Sequence, residues 1–320
     1  MKKSQIRVLA ILAAIALLLG IALFALRYEK APEVLPALVE IPQEEISQLV
    51  FTSNTANINL HLQEGSWQLL LPEGTFPAKQ DTVSTMLQQL CSLRPQQVLE
   101  DADPELFAAS TLQASIDILS GSGTDQVAAS QQIRIYSMNA ITDQLYVQVG
   151  QTLYLTDTSL MKIFPGSQLE LLQQYPIPKP DNHRTVTVEN FSGQIQLSCD
   201  PALTGGSEDT WYVQQGALWI PADQNAAYNF YFLTWDMHWK STAAVIGDAT
   251  NLADFGLDNP QVIYTLTYGD EVFRLYLGEN LPDGTTYAMC EGSNLIYTMD
   301  TLLASWLAEA TDGSVRAPLP

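Results

Sequence analysis

Residues 67–80 read Trp-Gln-Leu-Leu-Leu-Pro-Glu-Gly-Thr-Phe-Pro-Ala-Lys-Gln, and residues 211–224 read Trp-Tyr-Val-Gln-Gln-Gly-Ala-Leu-Trp-Ile-Pro-Ala-Asp-Gln. The tryptophans and the Pro-Ala-x-Gln elements recur at one offset of 144 residues. The match extends outward. Ile58, Leu60 and Leu62, before the first Trp, correspond to Ile195, Leu197 and Cys199 before the second. Further on, Leu153-Tyr-Leu-Thr-Asp157 parallels Ile296-Tyr-Thr-Met-Asp300. An apolar segment follows each, with Leu160 and Ile163 in one and Leu303 and Trp306 in the other. A period this long is a duplicated domain rather than a solenoid repeat.

Each copy reads as strands, a helix, more strands and a closing helix. Ile58 to Leu62 alternates apolar and polar residues, as a half-buried strand does. After Pro-Ala-x-Gln the period changes. Val83, Met86, Leu87, Leu90 and Cys91 fall at i, i+3, i+4, i+7 and i+8, and Ala227, Phe230, Tyr231, Thr234 and Trp235 take the same five places. That stripe predicts a helix with one face on a core. Alternating runs follow at 133–136, 145–149, 262–268 and 272–277, with turns at Asp283-Gly284 and Glu291-Gly292. The expected fold class is α+β: an N-terminal transmembrane helix followed by two similar lobes with mostly antiparallel sheets and packed helices.

The transmembrane expectation rests on residues 8–26. The chain carries 14 Lys and Arg against 35 Asp and Glu, a net −21. No acid precedes Glu29, whereas Lys2, Lys3, Arg7 and Arg27 do; from Tyr28 onward the net is −25. Between Arg7 and Arg27 lie 19 uncharged, mainly aliphatic residues. About 20 such residues span a hydrocarbon core as a helix, with their backbone groups satisfied internally. The competing reading is a cleaved signal peptide, whose apolar region is shorter, about 7–15 residues, and ends in a small-x-small site. Here Leu23 spoils the nearest such site, and no Cys follows before Cys91 to carry a lipid. More bases flank the run on its N-terminal side, which places residues 1–7 in the cytoplasm and the bulk of the chain outside it.

The resulting division is 1–7 cytoplasmic, 8–26 membrane anchor, 27–45 a stalk with Pro32, Pro36 and Pro42, 46–175 the first lobe, 176–184 a linker with Pro176, Pro178 and Pro180, 185–310 the second lobe, and 311–320 a tail. The anchor makes membrane lipid a partner through residues 8–26. The acidic balance excludes nucleic acid, whose phosphates need Lys and Arg.

The segment Leu252-Ala-Asp-Phe-Gly-Leu-Asp-Asn-Pro260 is followed by an apolar strand, by Gly269-Asp-Glu-Val-Phe-Arg-Leu-Tyr-Leu-Gly278, by Tyr287 and by Ile296-Tyr297. With Trp211 and Pro221-Ala222-Asp223-Gln224, this pattern resembles the family called domain of unknown function 4340, most sharply from Trp211 to Leu307. The first copy lacks the Phe-Gly-Leu-Asp-x-Pro element over 107–115. The resemblance implies a single-span bacterial envelope protein, often encoded beside ABC transporters of the gliding-motility type, with transporter subunits as partners. It implies no catalytic residues. The element also has its own physical reading: Gly256 ends a short helix in the left-handed region, Asn259-Pro260 forces an extended exit, and Leu252, Phe255 and Leu257 pack beneath the corner.

Candidate chemistry is sparse. Cys91, Cys199 and Cys290 replace apolar residues of the other copy (Trp235, Leu62, and Val149 or a neighbour), as core-filling cysteines do. A Cys199–Cys290 disulfide is the one pairing considered. His61, His183 and His238 match no zinc spacing, and no G-x-S-x-G nucleophile elbow or phosphate loop occurs. Gly121–Asp125 and Thr204–Asp209 read as surface turns. Asp101–Glu105 is the best acidic cluster for calcium but reads better as Asp103 capping a helix that starts at Pro104. No catalytic residue, cofactor or metal is therefore expected.

The aromatic stretch 228–239 is denser than a one-sided helix needs. Tyr228, Phe232, Trp235 and Trp239 form the candidate partner or ligand surface. The primary expectation is a non-enzymatic, single-pass, extracytoplasmic accessory or scaffold component of an ABC-type transporter or another envelope complex. The alternative is a solute- or glycan-binding module whose groove between the lobes is lined by these aromatics. A hydrolase is the least supported class.

Overall fold

A computed structural model describes residues 35–100, 112–121, 128–139, 143–179 and 184–315. The apolar run at 8–26 lies outside them. Among the described residues no helix is long and apolar enough to cross a membrane.

The first lobe contains β1 (Ile46–Ser53), β2 (Asn57–Gln63), β3 (Ser66–Leu71), β4 (Gly74–Pro77), α1 (Gln80–Ser92), β5 (Gln97–Val98), β6 (Leu112–Ser120), β7 (Ala129–Asn139), β8 (Gln144–Val149), β9 (Thr152–Asp157) and α2 (Ser159–Lys162). The second contains β10 (Arg184–Asn190), β11 (Gly193–Ser198), α3 (Pro201–Thr204), β12 (Tyr212–Gln215), β13 (Leu218–Pro221), α4 (Gln224–Asp236), β14 (Ser241–Val245), β15 (Val262–Tyr268), β16 (Glu271–Asn280), β17 (Thr285–Cys290), β18 (Leu295–Asp300) and α5 (Thr301–Glu309). Each lobe holds one nine-stranded sheet. The orders are β4-β3-β2-β1-β6-β7-β8-β9-β5 and β13-β12-β11-β10-β15-β16-β17-β18-β14, the same path twice. Neighbouring strands are antiparallel throughout. The duplicated, two-lobed, antiparallel expectation is met. The α+β class is corrected to mostly β, because residues outside the clearest strand patterns also pair, including both hairpins that lead into α1 and α4.

In each lobe the long helix leaves one edge strand and the chain then joins the opposite edge, so the helix lies across one sheet face. That face is apolar by the two-residue period of the strands. Leu49, Ile58, Leu60, Leu69, Ile116, Ile118, Ile133, Ile135 and Val147 are fully buried with Val83 and Leu90 of α1. Val186, Val213, Tyr264, Leu266, Leu275, Leu277 and Ala288 are buried with Ala227 and Phe230 of α4. The pairing registers fix the residue equivalences. Ile133 opposes Val149 as Leu275 opposes Cys290, and Val147 opposes Tyr154 as Ala288 opposes Tyr297.

The repeated Pro-Ala-x-Gln has a direct physical cause. Gln80 accepts the Trp67 N–H at Oε1 (2.8 Å) and donates from Nε2 to the carbonyls of Trp67 (2.9 Å) and Ala78 (2.7 Å). Gln224 does the same to Trp211 (2.7 and 3.0 Å) and Ala222 (2.8 Å). The side-chain amide thus acts as a piece of peptide backbone. It adds a second donor to the Trp carbonyl, which also accepts the N–H of Ala78 or Ala222, and it pairs the Trp N–H and the Ala carbonyl at the strand-to-helix corner.

The chain ahead of each sheet also packs. Residues 35–45, read as stalk, are tucked onto the first lobe: Leu38, Val39 and Ile41 are buried, and the Leu38 N–H donates to the Leu93 carbonyl. Gln131 of β7 donates to the Leu38 carbonyl (2.7 Å) and accepts the Glu40 N–H (2.9 Å). Ahead of the second lobe, the backbone of Tyr175 is held twice. The Tyr297 hydroxyl accepts its N–H at 2.9 Å, and Trp239 Nε1 donates to its carbonyl at 2.7 Å. Trp239 stacks on Tyr297 (centroids 4.2 Å) and packs against both hydrophobic cores, while Tyr297, Val245 and Leu295 belong to the core of the first lobe. The lobes therefore share an apolar seam.

The Phe-Gly-Leu-Asp-Asn-Pro corner forms as its sequence predicts. A 3-10 turn over Leu252–Phe255 ends at Gly256, φ 66°, and Leu257 is buried. The corner lies on Gly278 of β16, where an added Cβ would come within 2.1 Å of the Phe255 carbonyl oxygen. Phe255 meets Tyr287 edge-on at 5.0 Å.

Candidate functional site

Helix α4 begins with Asp223, whose side chain accepts the Ala226 N–H at 2.9 Å as an N-cap. Ala227, Phe230 and Tyr231 face the core as expected. The last place of the predicted stripe does not. Trp235 is 41% exposed, and it joins Tyr228 (47%) and Phe232 (37%) on the outward side. These three sit at i, i+4 and i+7, one face of the helix. Their rings are in series: Tyr228 to Phe232 is 4.9 Å, and Phe232 to Trp235 is 5.5 Å with planes 12° apart. Lys179 places its Nζ 5.7 Å from the Trp235 ring centroid, which closes the strip with a cation–π contact.

The corresponding places on α1 are Ser84, Gln88 and Cys91. Ser84 and Gln88 are exposed and Cys91 is half-buried. The same surface of the same element is thus polar in one lobe and aromatic in the other.

Trp239 is not part of the strip. The helix ends at Asp236, Met237 turns extended, and Trp239 swings into the seam between the lobes. Tyr228, Phe232, Trp235 and Trp239 are not among the residues that line the described cleft between the lobes. The cleft there, about 440 Å³, is lined instead by residues such as Thr55, Asn57, Glu73, Ser167, Ala243 and Val245. The strip stands on an open helix face.

Two exposed apolar residues that the sequence reading did not single out for function lie on α5. Leu302 is 81% exposed, and Trp306 is 40% exposed with its ring 4.3 Å from Phe230. The buried residues of α5 are Ala304, Leu307 and Ala308. Their i, i+3, i+4 spacing was the signal that separates them from Leu302 and Trp306.

The remaining candidates have structural settings. Cys199 and Cys290 are buried thiols, not a disulfide. Cys199 follows β11 and Cys290 ends β17, four places apart in the sheet order β11-β10-β15-β16-β17. At about 4.8 Å per strand they are roughly 19 Å apart, far beyond disulfide reach. Burial pushes the Cys290 thiol up to about 12. His61 is half-buried on β2, its Nε2 has no partner among the described residues, and burial lowers its pKa. His238 is exposed, with Nδ1 2.7 Å from the Asp236 carbonyl oxygen. Thr204–Asp209 is a turn that follows α3, with Gly205 in the left-handed region. His183, Asp101–Glu105 and residues 122–125 lie outside the described residues. Among the described residues no group of three His, Cys, Asp or Glu is placed to hold a metal ion.

Residues 236–317 match the family model described as Domain of unknown function (DUF4340). No curated protein and no solved structure matches the chain. The matched segment begins at the last residue of α4, so Tyr228, Phe232 and Trp235 precede it.

Proposed function

We propose that this chain, a member of the domain of unknown function 4340 family through residues 236–317, is a non-enzymatic, membrane-anchored extracytoplasmic scaffold that docks an envelope partner, such as an ABC-type transporter subunit, on the outward face of α4. The observation that carries this reading is the aromatic strip. Three large rings on one helix face keep a hydrophobic surface in water that the sister helix replaces with Ser84, Gln88 and Cys91. Exposed Trp and Tyr side chains supply much contact area at little entropic cost, which is why they anchor protein interfaces. The apolar run at 8–26 supplies the anchor in this reading, and its flanking bases put the lobes outside the cytoplasm.

The test transplants the face of one helix onto the other. The full chain carrying Tyr228→Ser, Phe232→Gln and Trp235→Ser is purified from membranes in mild detergent beside the unaltered chain. A photo-crosslinking residue at the exposed Asn225, one turn before Tyr228, reports partner contact in both. Loss of one discrete crosslinked transporter or envelope protein, with the melting temperature unchanged, is expected. Equal crosslinking by both chains rejects α4 as the docking face.

One observation favours the alternative of a glycan ligand: Phe232 and Trp235 are exposed aromatic rings with nearly parallel planes on one helix face, and exposed aromatic faces are what sugars pack against. In that case soluble envelope glycan fragments quench Trp235 fluorescence and no protein crosslink forms.

A further inference from the structure

A cleft of about 450 Å³ opens on the first lobe between the end of α1 and α2. It is lined by Gln89, Ser92, Leu93, Arg94, Asp157, Ser159, Lys162 and Ile163. Its charge sets it apart. The cleft beside Trp67 carries Glu44, the one between the lobes carries Glu73, and the one at Gln131 carries Glu40 and Glu45; none of these three is lined by a base. Here two bases meet one acid, and that acid is engaged, since Asp157 Oδ1 accepts the Ser159 N–H at 2.7 Å. Four other described bases are held by neighbours: Lys240 lies 3.7 Å from Asp300, Arg274 lies 2.6 Å from Glu291, Arg134 Nε donates to Gln132 at 2.8 Å, and Lys179 covers Trp235. Arg94 and Lys162 are both exposed.

The position of this cleft is the second observation. Arg94 donates from a guanidinium nitrogen to the Leu35 carbonyl at 2.9 Å, so the cleft sits where the chain arrives from its N-terminal run. Nine residue steps separate Leu26, the end of that run, from Leu35. Even fully extended they reach only about 30 Å. A chain held in a bilayer through 8–26 keeps Leu35, and with it Arg94, within that distance of the lipid headgroups. The bulk of the lobes, at net −25 from Tyr28 onward, is repelled by an anionic surface.

We propose that this cleft is the membrane-facing contact of the first lobe, in which Arg94 and Lys162 seat the phosphate of a lipid headgroup. Ser159 adds a hydroxyl to the lining, while the Ser92 hydroxyl donates to the Gln89 carbonyl at 3.0 Å. The proposal rests on the anchor reading of residues 8–26. A lobe that is acidic elsewhere is thereby oriented: one cationic end goes down, and the remaining surface is turned away from the bilayer.

Amide hydrogen exchange on the full chain in nanodiscs tests it. Discs are made of phosphatidylcholine alone, or of phosphatidylcholine mixed with phosphatidylglycerol. Peptides covering 89–94 and 157–163 are expected to exchange at least twofold more slowly in the anionic discs. That protection is lost at about 0.5 M salt, where screening shortens to a few ångströms. It is also lost in Lys162→Glu and weakened in Lys162→Gln, while α4 peptides do not change. Identical exchange in both kinds of disc overturns the contact. So does equal protection by inorganic phosphate in detergent, which makes the cleft a free-phosphate site. A chain that does not load into discs at all removes the anchor itself, a failure distinct from these two.

Discussion

Helices α1 and α4 start from the same clamped corner, cross the same face of the same sheet and bury the same three positions, yet their outward sides differ. Val83, Met86 and Leu87 on one correspond to Ala227, Phe230 and Tyr231 on the other, and all six are buried. Outward, Ser84 and Gln88 face Tyr228 and Phe232 as counterparts. A duplicated chain carries its own reference: whatever the fold requires is present twice, and whatever is present once needs another cause. The Gln clamp, the strand order and the apolar face are of the first kind. The aromatic strip, the Phe-Gly-Leu-Asp-Asn-Pro corner and the Arg94–Lys162 cleft are of the second.

The cores differ as well. Ile116 of β6 becomes Tyr264 of β15, while Val147 becomes Ala288 and Val83 becomes Ala227. The smaller residues offset the ring, whose hydroxyl donates to the Phe230 carbonyl at 3.3 Å. Burial holds that phenol protonated, well above the usual tyrosine range. Tyr264→Ala is expected to cost about 4 kcal/mol, as deletion of a large buried aromatic does, and Ile116→Ala about 3 kcal/mol. Chemical denaturation measures both. A Tyr264 variant cheaper than its Ile116 counterpart would break the idea that the second core is built around this ring.

Next in size come the clamps. Gln80→Ala and Gln224→Ala each leave an N–H and the Ala carbonyl without their Gln partner, while the Trp carbonyl keeps the N–H of Ala78 or Ala222, and should each cost about 2 kcal/mol. The two values should agree within error, because the bonds agree within about a tenth of an ångström. Unequal costs would show that one corner is supported by something other than the clamp.

A smaller difference is electrostatic. His61 of β2 is disfavoured as a cation by burial, so its folded pKa lies below its ordinary 6.5. The folded state then binds fewer protons than the unfolded one in the window between the two values. Stability is complete above about pH 6.5 and declines as pH falls from there toward the folded value. Unfolding titrations from pH 8 to pH 5 should show that decline in the unaltered chain and less of it in His61→Gln. A decline of the same size in both assigns it to other groups. The smallest effect is Cys290→Val, which writes the residue of the first lobe into the second. Val149 fills that place already, and the change should stay below about 1 kcal/mol.

Much of the architecture was legible from the repeat. The 144-residue offset, the Trp and Gln anchors and the Leu153–Asp157 match to Ile296–Asp300 all fall on true structural equivalents. Cys290 pairs across from Leu275 as Val149 does from Ile133. What the sequence hid has physical causes. The short edge strands β4, β5, β13 and β14 run for two to five residues, too few to display a period of two, so the molecule was read as richer in helix than it is. Residues 35–45 looked like a stalk because three prolines dominate the segment from 32 to 42, but Leu38, Val39 and Ile41 outweigh them by burial. Trp235 and Trp239 are four apart, which on a helix means one face. The helix stops at Asp236, and the two tryptophans part.

The tucked arm at 35–45 has a mechanical consequence. A pull on the chain from its N-terminal side first loads the Arg94–Leu35 bond, then the Leu38–Leu93 backbone bond and the two bonds to Gln131, with Leu38, Val39 and Ile41 buried behind them. These contacts are loaded one after another, as in peeling, rather than all together, as when two long strands are sheared. The arm would therefore pay out slack before the sheet itself bears load, and the first lobe would stay folded behind an extensible leash.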